Sequence, residues 1–190
     1  ARQYSVAKIG DDVLLSIKKH EKGLCSSYLS ALNVNDTISA TVEYNQEFHF
    51  PKSSKAVIMI ANGTGFAPFL GMIDNNLAQK EIHLFLGLRT KASLELYSSV
   101  IDEAFNKNKL KDCHVAFSQE NTEKVYVQDI ILQQADFIAN HLKNKGVIMI
   151  CGSIVMQNQV LEQLHDITNM KLQLPLSDFE ANQQIKTDCY

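Results

Sequence analysis

The sequence predicts an α/β fold, a parallel sheet with helices on both faces, entered from a shorter β-rich segment. Three observations predict it. Apolar runs at 56–61, 82–87, 113–118 and 147–151 are each followed by residues whose apolar positions recur at three and four, the strand-then-helix repeat that builds parallel sheets. Residues 60–71, IANGTGFAPFLG, form a glycine-rich turn that closes the first run and opens a helical pattern. Ahead of them, Phe50-Pro51-Lys52-Ser53-Ser54-Lys55 is a polar stretch with a proline, a composition that separates structural units.

Taken in chain order, residues 12–19 and 37–43 alternate in part between apolar and polar, as half-buried antiparallel strands do, with a short helical segment at 24–32 between them. The boundary is placed between 51 and 52, giving a β-rich unit 1–51 and an α/β unit 52–190. In the second unit Tyr97, Val100, Ile101, Ala104 and Phe105 mark one helix face, and Met156, Val160, Leu164 and Ile167 mark another. Both stripes are read as core. Right-handed crossovers put ligands beyond the carboxyl ends of parallel strands, where the glycine turn, Arg89, Ser118 and Cys151 fall. Gly63 and Gly65 have no Cβ and Thr64 offers a hydroxyl, so the backbone of the turn can approach a phosphate that the following helix N-terminus favours. A G-x-G turn is also a common plain connector, and its neighbours decide between the two.

Composition narrows the function. With 190 residues, 45% of them hydrophobic, the chain can build a sizeable core, and no stretch approaches the length of a membrane span. A net charge of −3 without a basic stripe argues against a nucleic-acid partner; Lys52, Lys55, Lys107, Lys109 and Lys111 are read as solvated surface. Cys25, Cys113, Cys151 and Cys189 lie far apart with no C-x-x-C pair, which fits neither a zinc site nor a disulfide framework and points to a reducing, cytoplasmic setting. The six histidines form no ligating cluster and are read as structural or surface, so no metal site is expected.

Around the glycine turn the chain carries, in order, Arg2-Gln3-Tyr4-Ser5, Gly23-Leu24-Cys25-Ser26-Ser27-Tyr28-Leu29, Arg89, Phe117-Ser118 ahead of Lys124-Val125-Tyr126-Val127-Gln128, Cys151-Gly152 and Thr187-Asp188-Cys189-Tyr190. In that order these motifs resemble the ferredoxin:NADP reductase superfamily, nearest to the C-terminal FAD/NADPH-binding module of diflavin reductases and the sulfite reductase flavoprotein. The resemblance runs over practically the whole chain. It implies that residues 1–51 are the C-terminal part of an antiparallel β-barrel FAD-binding domain and 52–190 an NADP-binding α/β domain with a five-stranded parallel sheet. It further implies hydride transfer from NADPH to FAD and onward passage of electrons to a haem, flavodoxin-like or metal acceptor, in another protein or upstream in the same chain.

Residue by residue, the resemblance gives Arg2 to the flavin pyrophosphate, Tyr4 to the isoalloxazine face and Ser5 to the neighbourhood of N5. These types suit such work: a guanidinium donates to phosphate, a ring covers a ring, and a hydroxyl donates and accepts. Gly23, Cys25, Ser26 and Ser27 match the turn that receives the flavin diphosphate, although a plain helix cap would look the same. Ser118, Lys124 and Tyr126 match the residues that hold the ribose 2′-phosphate of NADPH, with Gln128 framing the adenosine end and Arg89 reaching the dinucleotide pyrophosphate. An ammonium and hydroxyls answer a dianionic phosphate. Ser5, Cys151 and Asp188 match the groups that surround the nicotinamide C4, and Tyr190 the terminal aromatic that covers the flavin. The chain departs from the family pattern at Gln119, where NADPH-specific relatives carry Arg, at Ala61 and Asn62, and at Ser153, where Asp usually follows Cys-Gly. About fifty residues ahead of the second unit are too few to close a barrel, so a longer parent chain is expected, with FAD held weakly by this span. The competing reading is a nucleotide-binding module that docks on a redox partner without hydride transfer of its own.

Overall fold

A computed structural model describes residues 2–51, 53–120 and 122–190. Lys52, and with it the 51/52 boundary, falls outside the described residues. The chain begins with a hairpin of β1 (Val6–Ile9) and β2 (Asp12–Leu15), joined by a two-residue turn in which Gly10 has φ +59°, a left-handed conformation that glycine adopts without penalty. A six-residue helix α1 (Leu24–Leu29) follows. Two strand expectations are corrected here: the second strand stops at Leu15, and 37–43 runs without regular structure, exposed throughout. Alternation alone does not make a strand. A strand needs a partner for its ladder of hydrogen bonds, and among the described residues β1 pairs with β2 and no strand lies against 37–43.

From residue 56 the pattern changes to strand and helix. β3 (Ala56–Asn62) leads through a 3-10 turn at Gly63–Phe66 into α2 (Ala67–Asp74); β4 (Glu81–Leu88), α3 (Lys91–Asn106) and β5 (Asp112–Phe117) follow. Then come α4 (Val127–Gln133), α5 (Ala135–Lys143), β6 (Val147–Gly152), α6 (Ile154–Ile167), a π-helical turn at Thr168–Leu172, α7 (Leu176–Ala181) and β7 (Ile185–Cys189). The sheet is five-stranded in the order β5-β4-β3-β6-β7 with every neighbouring pair parallel, so the expected architecture is what forms.

Alternation in β3 explains the two layers. Val57, Met59 and Ala61 join one core with Phe66, Phe69, Leu70 and Ile101, while Ile58 and Ile60 join the other with Ile131, Ile138, Val160 and Leu164. Burying each such Leu, Ile or Phe contributes about 1.5–3 kcal/mol. Both helix stripes pack inward, apart from Phe105, which is exposed. The first core also takes in Ala7 and Phe48 from the N-terminal segment. Gly71 of α2 permits that docking, because a Cβ there would meet the Lys8 backbone at 3.0 Å. Of the lysines read as surface, Lys109 proves otherwise: its ammonium reaches Asp74 Oδ1 at 2.8 Å.

Candidate functional site

Strand order reverses between β3 and β6, and there the carboxyl ends of two adjacent parallel strands open a crevice. The two glycines of the turn after β3 answer to different constraints. Gly63 has φ +53° and open space where a Cβ would stand, so its backbone is accessible from outside. Gly65 is buried against β6, and a Cβ there would lie 2.4 Å from the Cys151 carbonyl oxygen and 2.5 Å from Gly152 Cα. Close approach of two chains, not of a ligand, requires glycine at 65.

Two of the family departures meet across this crevice. The Ser153 N–H donates to Asn62 Oδ1 at 2.9 Å, and Asn62 Nδ2 donates to Ser153 Oγ at 3.2 Å. Ser153 Oγ also accepts from the Met156 N–H at 3.3 Å, capping α6. Asn62 and Ser153 therefore join the ends of β3 and β6 without a charge. Gly152, at φ +147°, is forced by the same contact, since a Cβ would fall 2.1 Å from Asn62 Oδ1.

Beside the crevice, β7 runs parallel to β6 with Cys151 opposite Asp188. Ser5 Oγ donates to Asp188 Oδ2 at 3.3 Å, and both residues influence the nearby Cys151 thiol. Three residues separated by up to 183 positions thus converge. Burial first, then the neighbouring Asp188 charge, pushes the Cys151 thiol far above its ordinary value, so it stays a neutral S–H rather than a nucleophilic thiolate. Tyr190 is tied back by its N–H to the Gly152 carbonyl at 3.0 Å, and its hydroxyl shares a 3.3 Å hydrogen bond with Thr64 Oγ1 over the glycine turn.

The N-terminal motifs gather next to this cluster. Tyr4 is half-buried, and its interaction with the Cys25 side chain is the main reason its phenol is raised above its ordinary value; the R-x-Y-S segment and the 23–29 turn are therefore neighbours. Arg2 is exposed. Ser26 is buried, its hydroxyl donating to the Gly23 carbonyl at 3.2 Å and accepting from the His20 N–H at 3.2 Å, and a Cβ at Gly23 would crowd that hydroxyl at 2.5 Å. The Ser26 hydroxyl is thus engaged in shaping the turn, and Ser27 is half-buried beside it.

At the far side of the sheet, Arg89 and Ser118 emerge from β4 and β5 in step: the Ser118 N–H donates to the Leu88 carbonyl at 3.0 Å and the Gln119 N–H to the Arg89 carbonyl at 2.9 Å. Arg89, Gln119, Lys124 and Tyr126 are exposed. Tyr126 caps α4, its N–H donating to Asp129 Oδ2 at 2.7 Å, and Gln128 Nε2 links α4 to α6 through Gln159 Oε1 at 3.1 Å. Two residues escaped the reading of the sequence. The Glu120 carboxylate accepts from the Lys91 N–H at the start of α3, beside the exposed cations. Asn45 reaches the Asp188 carboxylate from 143 positions away, with Nδ2 to Oδ1 3.1 Å; its sequence signal was that of a turn-forming Asn, with nothing to show what else it touches.

Comparison with known proteins agrees with this geometry. Residues 59–162 match the family model described as the oxidoreductase NAD-binding domain. The chain is 28% identical to NADPH oxidoreductase A of Dictyostelium discoideum over 96% of its own length and 31% of that protein. It is 35% identical to a nitric oxide synthase of Anopheles stephensi over 76% of the chain and 12% of the synthase, and 30% identical to a sulfite reductase [NADPH] flavoprotein alpha-component of Photobacterium profundum over 87% of the chain and 30% of that protein. The chain thus spans a third or less of these relatives. With the glycine turn at the switch point, the sheet order and more than half of the chain inside the family model, the chain belongs to the oxidoreductase NAD-binding domain family of the ferredoxin:NADP reductase superfamily.

Proposed function

We propose that this chain is the reductase portion of a flavin-dependent oxidoreductase, binding NADPH over the glycine turn and FAD against the N-terminal motifs. The observation that carries this reading is the convergence of Ser5, Cys151 and Asp188 beside that turn. Both cofactors suit the residues present. Gly63 offers open backbone where a pyrophosphate would lie, the exposed Arg89 and Lys124 supply cations for phosphates, and Arg2, Tyr4 and Ser27, none of them buried, offer a cation, a ring and a hydroxyl to a flavin. When bound, NADPH would supply a hydride and FAD would accept it.

The chain's own residues orient and stabilise. Asp188 places a carboxylate where positive charge develops on a nicotinamide, the Cys151 thiol gives a neutral, weakly polar wall, and Ser5 holds the carboxylate through its hydroxyl. Tyr190, partly exposed and held by Thr64, covers the mouth of the turn and must move for a nicotinamide to enter. The names of relatives support NADPH and flavin as the pair, and Gln119 in place of a cation reduces the charge offered to a 2′-phosphate. The unit division at 51/52, a cytoplasmic setting and an acceptor of haem, flavodoxin-like or metal type belong to the same proposal. Among the described residues, no helix is long and apolar enough to cross a membrane.

A docking module without hydride transfer has no use for a carboxylate, a thiol and a hydroxyl assembled from three distant segments, so that reading is not favoured. The test is optical. The protein supplied with FAD should bleach at the flavin band on addition of NADPH, faster than with NADH; dinucleotide and flavin binding without bleaching would return the docking module.

A further inference from the structure

We infer that Asn45 is a positioning residue for the Asp188 carboxylate, an inference that rests on the reductase reading above. Its geometry leaves little freedom. Asn45 Oδ1 accepts from the Glu47 N–H at 3.1 Å and the Phe48 N–H at 3.2 Å, and those two donors settle which end of the amide is oxygen. Nδ2 therefore faces outward from the turn, where it donates to Asp188 Oδ1 at 3.1 Å. The other carboxylate oxygen, Oδ2, accepts from Ser5 Oγ at 3.3 Å. Each oxygen of Asp188 is thus held by a neutral donor from the N-terminal segment.

A carboxylate on a strand end would otherwise rotate about its side-chain bonds, and two donors on different oxygens fix its plane. Neutral donors do so without cancelling its charge, which a cation in the same place would. The anchor is itself anchored: Phe48 is buried in the core that covers one face of the sheet, so the turn bearing Asn45 is tied to the scaffold. Orientation held in advance is the form in which a remote residue aids a charge-stabilising step.

Asn45→Asp separates this role from folding. The substitution keeps an oxygen to accept the Glu47 and Phe48 N–H groups, so the turn persists, and it replaces the donor facing Asp188 with a second carboxylate oxygen. The first measurement needs no cofactor. Urea midpoints of the parent, Asn45→Asp, Asp188→Asn and the double variant should be non-additive, with the double variant recovering stability because the amide and carboxylate have exchanged places. The second measurement is stopped-flow flavin reduction. Asn45→Asp should lower the limiting rate about tenfold, the factor that corresponds to about 1.4 kcal/mol of transition-state stabilisation, while the dissociation constant for NADPH stays at the parent value. Asn45→Ala should slow the reaction similarly and also lower the urea midpoint, because the turn loses its acceptor.

Additive midpoints would show that the amide does not hold the carboxylate and would overturn the inference. Coupled midpoints with an unchanged limiting rate would make the contact structural and overturn the positioning role. A parent protein that binds both cofactors and never bleaches would bring down the reductase reading itself, and is recognised by its own inactivity before any variant is made.

Discussion

His141 is a residue whose neighbourhood dictates its protonation. It is buried in α5 beneath the turn at Gly146, where a Cβ would lie 2.3 Å from its Nε2, and that nitrogen meets the Val147 carbonyl at 3.1 Å. A carbonyl only accepts, so the neutral ring carries its proton on Nε2. Burial, with a smaller contribution from His83, lowers its pKa to about 4 against an ordinary 6.5, and the Val147 hydrogen bond opposes part of that shift. The folded state thus binds fewer protons than the unfolded state across this window. Its contribution to stability is complete above pH 6.5 and is lost as pH falls toward 4, by about 3 kcal/mol in all at 1.36 kcal/mol per unit. Chemical denaturation followed from pH 7 to 4 should show this slope, and His141→Gln, which keeps a donor but does not titrate, should flatten it. A parent with pH-independent stability over that range would mean the ring is hydrated and charged in the native protein. Nothing in the sequence singled this histidine out, because burial depends on where Gly146 brings the chain back.

At the scale of the element, the glycine turn shows how one motif serves two physical demands. Gly63→Ala forces a side chain into φ +53° with open space around it, a backbone strain of about 1–2 kcal/mol. Gly65→Ala drives a methyl into the β6 backbone at 2.4 Å, a clash no rotamer relieves, with a cost at or above the roughly 3 kcal/mol upper end of overpacking. Thermal unfolding should therefore show a small loss for Gly63→Ala and a large one for Gly65→Ala. Dinucleotide binding should weaken in Gly63→Ala beyond what its stability loss explains. Equal losses of stability would contradict the assignment of Gly65 to strand packing. The strands β3, β4 and β6 were legible because each carries a run of apolar residues buried on both faces, and the edge strand β5 because Val115-Ala116-Phe117 ends it with a shorter apolar run. β7 was not, since Ile185-Lys186-Thr187-Asp188-Cys189 lies at the sheet edge with mixed exposure and has no such run. The Asn62 and Ser153 contact was equally hidden, because 91 positions separate residues that are each ordinary alone.

For the whole molecule, the contrast lies between a sheet region cored on both faces and an N-terminal segment that stays open. Leu24 and Val34 are 92% and 91% exposed, and Val42 and Tyr44 stand out from the same segment. Specific contacts hold that segment to the sheet region: Ser16 Oγ to Tyr97 Oη at 2.7 Å, Lys186 Nζ to the Glu47 carbonyl at 3.1 Å, and Lys80 Nζ to the Pro51 carbonyl at 2.8 Å. Exposed Leu and Val each forgo about 1.5–3 kcal/mol that burial would contribute, so further chain packed on this segment would gain stability by covering them. The motifs assigned to FAD, Arg2, Tyr4, Ser5 and residues 23–27, lie on the same segment. Barrel strands joined ahead of Arg2, as the greater length of the relatives suggests, should pack on this segment, raise flavin occupancy and slow amide hydrogen exchange between residues 16 and 44. Occupancy is read from the ratio of flavin to protein absorbance, and exchange by mass spectrometry of peptides. If the 190-residue chain already purifies with one FAD per molecule, and the added strands change neither reading, the open segment is self-sufficient and its exposed apolar residues serve some other contact.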